Sequence, residues 1–416
     1  MKRALVVALA SCLALTGCSK FQVVDFAMSS ARRLPRERRA VGPYQVLAGD
    51  MHCHVRPPDA AYHVSRELTD TYRLALEEGL DFVVLTPHVP SRFFLDPEQR
   101  EWVRATQQVL GAKIAQLSQP TGPLLLPGME YTDYRYGHLG LSFGDVDAVL
   151  DEVPLASLER RPELFFEAWQ AKGGLATINH PFLEPLPRAP IAELHYDLTW
   201  RGFSSAPVPS EIAWLTRHAN AIETWNESIG HVRDRWFAGD PDWELRQATH
   251  LVQRLARAEQ RRVTPVGGSD SHGGWLRPTT WVLATERTPA AIRAGLVAGR
   301  TCVRSPDACT LEVRGAGGAF HAAGAAITSA RGAVEARSHG GEATYFVNGA
   351  VAATAEDGAT TRLSVPGTCA LVHVRVNDGV SAPVYVDCGW AETNQANSLN
   401  KPNQTNMGPP FSSARW

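Results

Sequence analysis

Val46-Leu47-Ala48-Gly49-Asp50-Met51-His52-Cys53-His54 is an apolar run of strand length that closes on metal-binding side chains. In an extended strand, residues two apart point to the same face, so His52 and His54 project together and Cys53 points the other way. Two imidazoles on one side suit a single metal ion. Five further segments close predicted strands in the same manner: Thr86-Pro87-His88, Gly128-Met129-Glu130, Gly137-His138, Asn179-His180-Pro181 and Gly268-Ser269-Asp270-Ser271-His272. Imidazole and carboxylate suit zinc, manganese or iron, and ligands at the ends of successive barrel strands converge on one mouth. The pattern describes a polynuclear metal site.

Working outward, residues 46–305 alternate short apolar runs with helical periodicity, the mark of repeated strand-helix units. Strands are predicted at Val46–Gly49, Phe82–Leu85, Leu124–Leu126, Leu175–Ile178, Ala221–Thr224, Val263–Val266 and Trp281–Ala284. Helices are predicted at Glu67–Glu78, Glu98–Leu117, Pro162–Ala171, Glu211–Arg217, Glu244–Glu259 and Pro289–Val297. Parallel strands need crossover helices, so the expected class is α/β: a distorted (β/α)7 TIM-like barrel over 46–305. From 306 to 390, period-two runs broken by glycine turns predict an antiparallel β-sandwich domain. Residues 391–416, rich in Asn, Gln, Pro and Ser, read as an extended polar tail.

The chain has 416 residues, 44% of them hydrophobic, enough for one large domain and a smaller one. Its 41 basic and 43 acidic residues give no electrostatic case for nucleic acid, and none is expected as a partner. Residues 1–17 differ from this average. Lys2 and Arg3 precede an apolar run, Ala4–Leu15, too short to span a bilayer, which reads as a signal peptide. It ends in Leu15-Thr16-Gly17-Cys18, which resembles the lipobox of bacterial lipoproteins, in which the cysteine is lipidated. Ser19 follows, and by resemblance to the lipoprotein sorting rule the absence of aspartate there favours the outer over the inner membrane. The expected protein is exported and lipid-anchored at Cys18, facing the periplasm. Residues 18–45, with Arg32, Arg33, Arg36, Arg38 and Arg39 and no apolar periodicity, read as a tether.

Without Cys12 and Cys18, five cysteines remain for an oxidising compartment: Cys53, Cys302, Cys309, Cys369 and Cys388. The last four allow three pairings. Proximity in sequence favours Cys302 with Cys309 and Cys369 with Cys388.

The succession of His52-Cys53-His54, Gly128-Met129-Glu130, Asn179-His180-Pro181 and Gly267-Gly268-Ser269-Asp270-Ser271-His272 resembles the PHP (polymerase and histidinol phosphatase) superfamily, over about residues 46–305. Within it, the resemblance is to the branch of carbaryl-hydrolase-like metallohydrolases. It implies two or three divalent metal ions. One would be held by His52, His54, Glu130 and Asp270, with Glu130 bridging to a second that adds His138 and His180. A third would lie between Asp59, His88 and His272. Two departures touch that third position: Thr86-Pro87-His88 replaces the usual Thr-Asp-His, and Val55-Arg56-Pro57-Pro58-Asp59 lacks Ser and Gly around its aspartate. His63, in the same loop, is a further candidate there.

Three divalent ions bring six positive charges against three negative ones from Asp59, Glu130 and Asp270, so the mouth prefers small anionic substrates. Adjacent metals polarise a phosphoryl oxygen and acidify a bridging water, so the expected reaction is hydrolysis of a phosphate mono- or diester by a metal-bridging hydroxide, with Asp270 and Glu130 at its centre. The alternatives are a carboxyl or carbamate ester hydrolase and a non-catalytic binding lipoprotein. Arg56 and Arg277 flank the first and last motifs as candidate phosphate ligands, and Trp225 as a pocket wall. Asn226 is the candidate for orienting the attacking water, and His231 or His195 for protonating the leaving group. Alternation places Glu223 as a partner of a ligand rather than a ligand.

Overall fold

Four-residue runs such as Phe82-Val83-Val84-Leu85, buried along their whole length, can only be central strands covered on both faces. They set the topology of the computed structural model, which describes residues 39–185, 195–204, 207–237, 240 and 242–390. The signal peptide 1–17, Cys18, most of the tether and the tail 391–416 lie outside the described residues.

In chain order the first part comprises β1 (Ala40–Val41), β2 (Tyr44–Cys53), α1 (Leu68–Glu77), β3 (Phe82–Leu85), β4 (His88–Pro90), α2 (Pro97–Leu117), β5 (Leu124–Asp133) and β6 (Gly137–Ser142). Helices α3 (Val146–Glu152), α4 (Leu155–Arg160) and α5 (Leu164–Ala171) lead to β7 (Leu175–Ile178). Then follow α6 (Ser210–His218), β8 (Ala221–Asn226), α7 (Glu227–Phe237), α8 (Trp243–Ala258), β9 (Thr264–Gly268), β10 (Thr280–Ala284), α9 (Pro289–Val297) and β11 (Thr301–Val303). Local chemistry starts the helices where the chain needs them. The Asp96 carboxylate accepts from the Glu98 and Gln99 amides ahead of Pro97, and the Thr288 hydroxyl accepts from the Ala291 amide ahead of Pro289.

The strands form one curled sheet in the order β10–β2–β3–β5–β6–β7–β8–β9. A parallel bridge from Cys53 to Ser271 brings the end of β2 against the chain beyond β9 and curls the sheet on itself. This mixed α/β sheet accords with a distorted barrel. It corrects the expectation of parallel strands in two places. β6 is inserted antiparallel between β5 and β7, and β10 runs antiparallel to β2. Gly137-His138, expected to close a strand, instead opens β6, whose glycines Gly137 and Gly140 resemble turn residues. The sheet also begins before residue 46, since Ala40 and Val41 pair with Gln45 and Tyr44.

The C-terminal part comprises β12 (Glu312–Arg314), β13 (His321–Ala322), β14 (Ala326–Ile327), β15 (Ala333–Arg337), β16 (Ala343–Val347), β17 (Ala350–Ala355), β18 (Thr361–Ser364), β19 (Ala370–Val376), β20 (Gly379–Ser381) and β21 (Val384–Val386). One layer is a separate sheet ordered β13–β12–β15–β18. The other, built on β16, β17, β19 and β21, shares a buried core with it through Val313, Val334 and Leu363 against Tyr345, Val372 and Val374. This second layer is no free-standing half of a sandwich. β20 pairs with β11, so it continues the barrel sheet. Disulfides join Cys302 to Cys309 and Cys369 to Cys388, the pairing that sequence proximity favours. Among the described residues Cys53 is the free thiol, fully buried, and burial pushes it up to about 12, so it is inert at neutral pH. Among the described residues no helix is long and apolar enough to cross a membrane.

Arg66 ties the loop after β2 to the rest of the barrel. It is 2% exposed, and its guanidinium donates to the Ser271 hydroxyl (2.8 Å), the Gly273 and Trp275 carbonyls (2.6 Å each), the His54 carbonyl (3.0 Å) and the Thr71 hydroxyl (2.9 Å). A planar fork reaches carbonyls in several directions at once, which an ammonium cannot. Arg66→Lys should therefore leave several buried acceptors unpaired. A loss of about 3 kcal/mol is expected in urea unfolding. An unfolding midpoint within error of the parent would show that the fork is dispensable.

Candidate metal centre

The ends of β2, β4, β5, β6, β7 and β9 deliver their imidazoles and carboxylates to one buried locus. His52 Nε2 lies 3.2 Å from His54 Nε2, 3.1 Å from Glu130 Oε1 and 3.5 Å from Asp270 Oδ1. His54 Nε2 lies 3.2 Å from Asp270 Oδ1 and 3.7 Å from Glu130 Oε2. On one flank, His138 Nδ1 and His180 Nε2 approach Glu130 Oε1 at 3.3 and 3.7 Å. On the other, His88 Nε2 lies 3.3 Å from Glu130 Oε2, and His272 stacks on His54 at 4.0 Å between ring centroids. Three sets of ligand atoms each fall within 4.8 Å: His52, His54 and Glu130; Glu130, His138 and His180; and His54, His88 and His272. Glu130 belongs to two sets and so does His54.

The local backbone is built for this convergence. His180 and Asp270 have φ of 26° and 50°, a left-handed conformation that L residues rarely adopt. Each is pinned there by its own amide: His180 N donates to Glu223 Oε2 (2.7 Å) and Asp270 N to the His52 carbonyl (2.8 Å). Gly268 passes so close to β2 that an added Cβ would fall 2.3 Å from His52 Cβ and 2.1 Å from Glu223 Oε1. Only glycine permits that approach.

Buried carboxylates and an amide orient the ligands from behind. Glu223 Oε1 lies 3.1 Å from His52 Nδ1, the place that alternation assigns it. Asn179 Nδ2 donates to Glu130 Oε1 (2.8 Å). Asp50, fully buried, accepts from the Ser269 amide (2.8 Å) and the Ser269 hydroxyl, and burial raises it to about 6 against those bonds. Asp59 is a correction. Its two oxygens face His54 Nδ1 (3.2 Å) and His88 Nδ1 (3.0 Å), so it aligns two imidazoles and stands behind the third cluster instead of ligating within it. The position it was expected to fill has His63 beside it, with Nε2 3.4 Å from His88 Nε2.

The other expected residues fall outside the cluster. The Asn226 amide is spent on Asp270 Oδ2 (3.1 Å) and Glu223 Oε2 (3.3 Å), and its Oδ1 accepts from the Ile229 amide, so it holds Asp270 rather than a water. Trp225 is 3% exposed and packs with Leu245, Val303 and Val380, beneath the Arg304 guanidinium, so it is no pocket wall. The cause is a register shift between Glu223 and Trp225 in the β8–β9 pairing, which alternation cannot foresee. Arg56 is engaged within its own loop by the Ser65 carbonyl (3.1 Å) and Glu67 (3.4 Å). Arg277 and His231 both approach Glu227, at 3.5 and 3.6 Å, and His195 is exposed. Arg66 and Asn179 emerge as positioning residues only in the structure. For Asn179 the signal was present in its place beside His180.

The side chains fit divalent cations. Two buried ring nitrogens 3.2 Å apart, facing two carboxylates, need positive charge between them. His138 Nε2 and His180 Nδ1 are buried without a hydrogen-bond partner among the described residues, so core hydrogen bonding does not account for these rings. Without metal, protons supply the charge. Burial opposes charge on His52, but Asp270, Glu130 and Glu223 outweigh it and hold the imidazole well above its ordinary range. Against the cost of burial, His138 and His52 keep Glu130 well below its ordinary range, and His52 and His54 do the same for Asp270. The constellation suits bound divalent metal ions.

No family model matches the chain, and no curated protein sequence matches it. Among solved structures it is similar to a two-domain protein from Bacteroides vulgatus containing a predicted PHP-like metal-dependent phosphoesterase. The identity is 16% and the TM-score 0.43, over 86% of this chain and 98% of that one. It is similar to the lesion-specific endonuclease Q of Pyrococcus furiosus at 14% identity and a TM-score of 0.35, over 67% of this chain and 64% of that one. PsfC from Pseudomonas syringae matches at 15% identity and a TM-score of 0.30, over 57% and 82%. A further similar structure is endonuclease Q in complex with a 27-mer duplex carrying an abasic lesion at the active site. The expectation that nucleic acid is excluded is thereby corrected: a near-neutral charge count does not rule such a partner out.

The protonated state of the metal-free cluster has a measurable consequence. Burial opposes charge on His54, and its contacts with Asp270, Asp59 and Glu130 outweigh this and raise it from 6.5 to about 9. A group raised on folding contributes stability that is full below its unfolded value and is lost as pH rises through its folded one. The thermal midpoint of metal-free protein should fall from pH 6.5 to 9, while manganese-loaded protein stays level because the ion replaces the protons. A metal-free midpoint that rises across that interval would contradict the protonated cluster.

Proposed function

We propose that this chain is a metal-dependent phosphoesterase that hydrolyses a phosphate mono- or diester at the barrel mouth. The observation that carries the reading is the membership of Glu130, whose carboxylate has two oxygens to offer, in two contiguous ligand sets, with a third set beside them. Divalent ions bound there would supply Lewis acidity and a water made acidic near neutral pH. Zinc, manganese and iron all suit the donors.

The chain's own residues do the rest. His52, His54, Glu130 and Asp270 would hold one ion, His138 and His180 with Glu130 a second, and His88 and His272 would contribute to a third, with His63 beside it. Glu223 and Asp59 fix the ring orientation of His52, His54 and His88, so each presents Nε2 inward. Asn226 and Asn179 hold the Asp270 and Glu130 carboxylates in place. Both carboxylates remain ionised at neutral pH, so they are ready ligands without loss of a proton.

Protein loaded with manganese or zinc should cleave an aryl phosphate or phosphodiester, and Asp270→Ala should lower kcat/KM at least about a thousandfold. A panel of phosphomonoester, phosphodiester, carbamate ester and abasic-site duplex reads the substrate class directly. Activity that survives Asp270→Ala, or confinement of activity to the carbamate ester, would overturn the phosphoesterase reading.

We also propose export and lipid anchoring at Cys18, supported by the charged start, the short apolar run and the Leu15-Thr16-Gly17-Cys18 ending. In cells fed labelled palmitate, the protein should carry label that Cys18→Ser removes. Unlabelled parent protein would refute the anchor.

A further inference from the structure

Large hydrophobic side chains that are well exposed are few, and three of the seven among the described residues are tyrosines: Tyr62 (80%), Tyr134 (70%) and Tyr196 (60%). They come from three separate loops, after β2, between β5 and β6, and ahead of α6. Two of the loops set their tyrosines beside histidines of the metal centre. Tyr62 lies edge-on to His63 with 6.3 Å between ring centroids, and His63 in turn meets His88 at 4.6 Å and His272 at 4.9 Å. Tyr134 lies edge-on to His138 at 6.0 Å. The Tyr134 phenol is pushed up by partial burial and by the fields of Glu130, Tyr62 and Tyr196, which puts those three groups within its electrostatic reach.

A single exposed tyrosine needs no explanation. Three from independent loops around one buried ionic cluster form a rim whose faces are apolar and whose hydroxyls are wet, and at these exposures they contribute little to the core. Trp225, the sequence candidate for a pocket wall, is buried elsewhere and adds no aromatic surface at the mouth. Flat rings stack on such faces whatever their substituents.

We propose that Tyr62, Tyr134 and Tyr196 bind a planar ring carried by the substrate, making aryl- or nucleobase-bearing phosphoesters the preferred class over aliphatic ones. This rests on the phosphoesterase reading, and the test separates the two. Manganese-loaded full-length protein is titrated calorimetrically with phenylphosphonate, cyclohexylphosphonate, methylphosphonate and the methylenephosphonate analogue of adenosine 5′-monophosphate, none of which turns over.

Phenylphosphonate should bind about tenfold more tightly than methylphosphonate, and more tightly than the non-planar cyclohexyl compound. The ratio should collapse towards one in the triple Tyr→Ala variant and persist in the triple Tyr→Phe variant. Tighter binding of the adenosine analogue than of phenylphosphonate identifies a nucleobase as the ring, and weaker binding identifies a simple aryl group. Equal binding of planar and aliphatic phosphonates, or a ratio that survives the alanine variant, would overturn the proposal. Phosphoester hydrolysis without ring discrimination sinks the rim alone, and ring discrimination without hydrolysis sinks the phosphoesterase reading alone.

Discussion

Everything at the metal centre depends on the seam where the end of β2 meets residues 268–272. There the Ser269 amide donates to Asp50, the Asp270 amide to the His52 carbonyl and the His54 amide to the Ser271 carbonyl. These bonds bring two imidazoles and a carboxylate from opposite ends of the barrel sequence within 3.5 Å of one another. Arg66 secures the same seam from outside with a charge that is satisfied by carbonyls and hydroxyls. A slip of one residue in β2 would turn His52 and His54 into the apolar layer and Cys53 into the site.

The seam gathers groups that water would otherwise separate. Asp50, Glu130, Glu223 and Asp270 are all buried or nearly so, as are His52, His54, His138 and His180. Removing so many ionisable groups from water is unfavourable unless charge is balanced within the cluster. Protons achieve that balance in the metal-free protein, and divalent ions would achieve it with stronger and more directional bonds. Orientation is therefore distributed over several residues that touch no ion, Asp59, Glu223, Asn179 and Asn226 among them. Loss of any one would loosen a ligand and leave the ligand set intact in sequence.

Much of this was legible in the chain. The alternation of His52 and His54 about Cys53, the place of Glu223 behind His52, the seven apolar runs and the two disulfides follow from period-two geometry, strand length and proximity. Other features were not. β6 contains glycines that read as turns, and its antiparallel insertion is a matter of pairing between segments. The register shift in β8 exchanges the faces of Trp225 and Asn226, and no residue type announces a bulge there. Asp59 has the chemistry of a ligand and became an orienting group only because two imidazole Nδ1 atoms reach it first.

What the sequence by itself determined is the inventory and its order: which donors exist, which strands carry them, and that together they suit a metal. Those facts are local, because side-chain chemistry and strand alternation need no knowledge of distant partners. Only the tertiary structure decided which carboxylates face the imidazole cluster and which stand behind it, that Glu130 belongs to two ligand sets, and which loop tyrosines lie beside its histidines. Those outcomes turn on contacts between residues tens to hundreds of positions apart, where angstrom differences in register decide which atom arrives first.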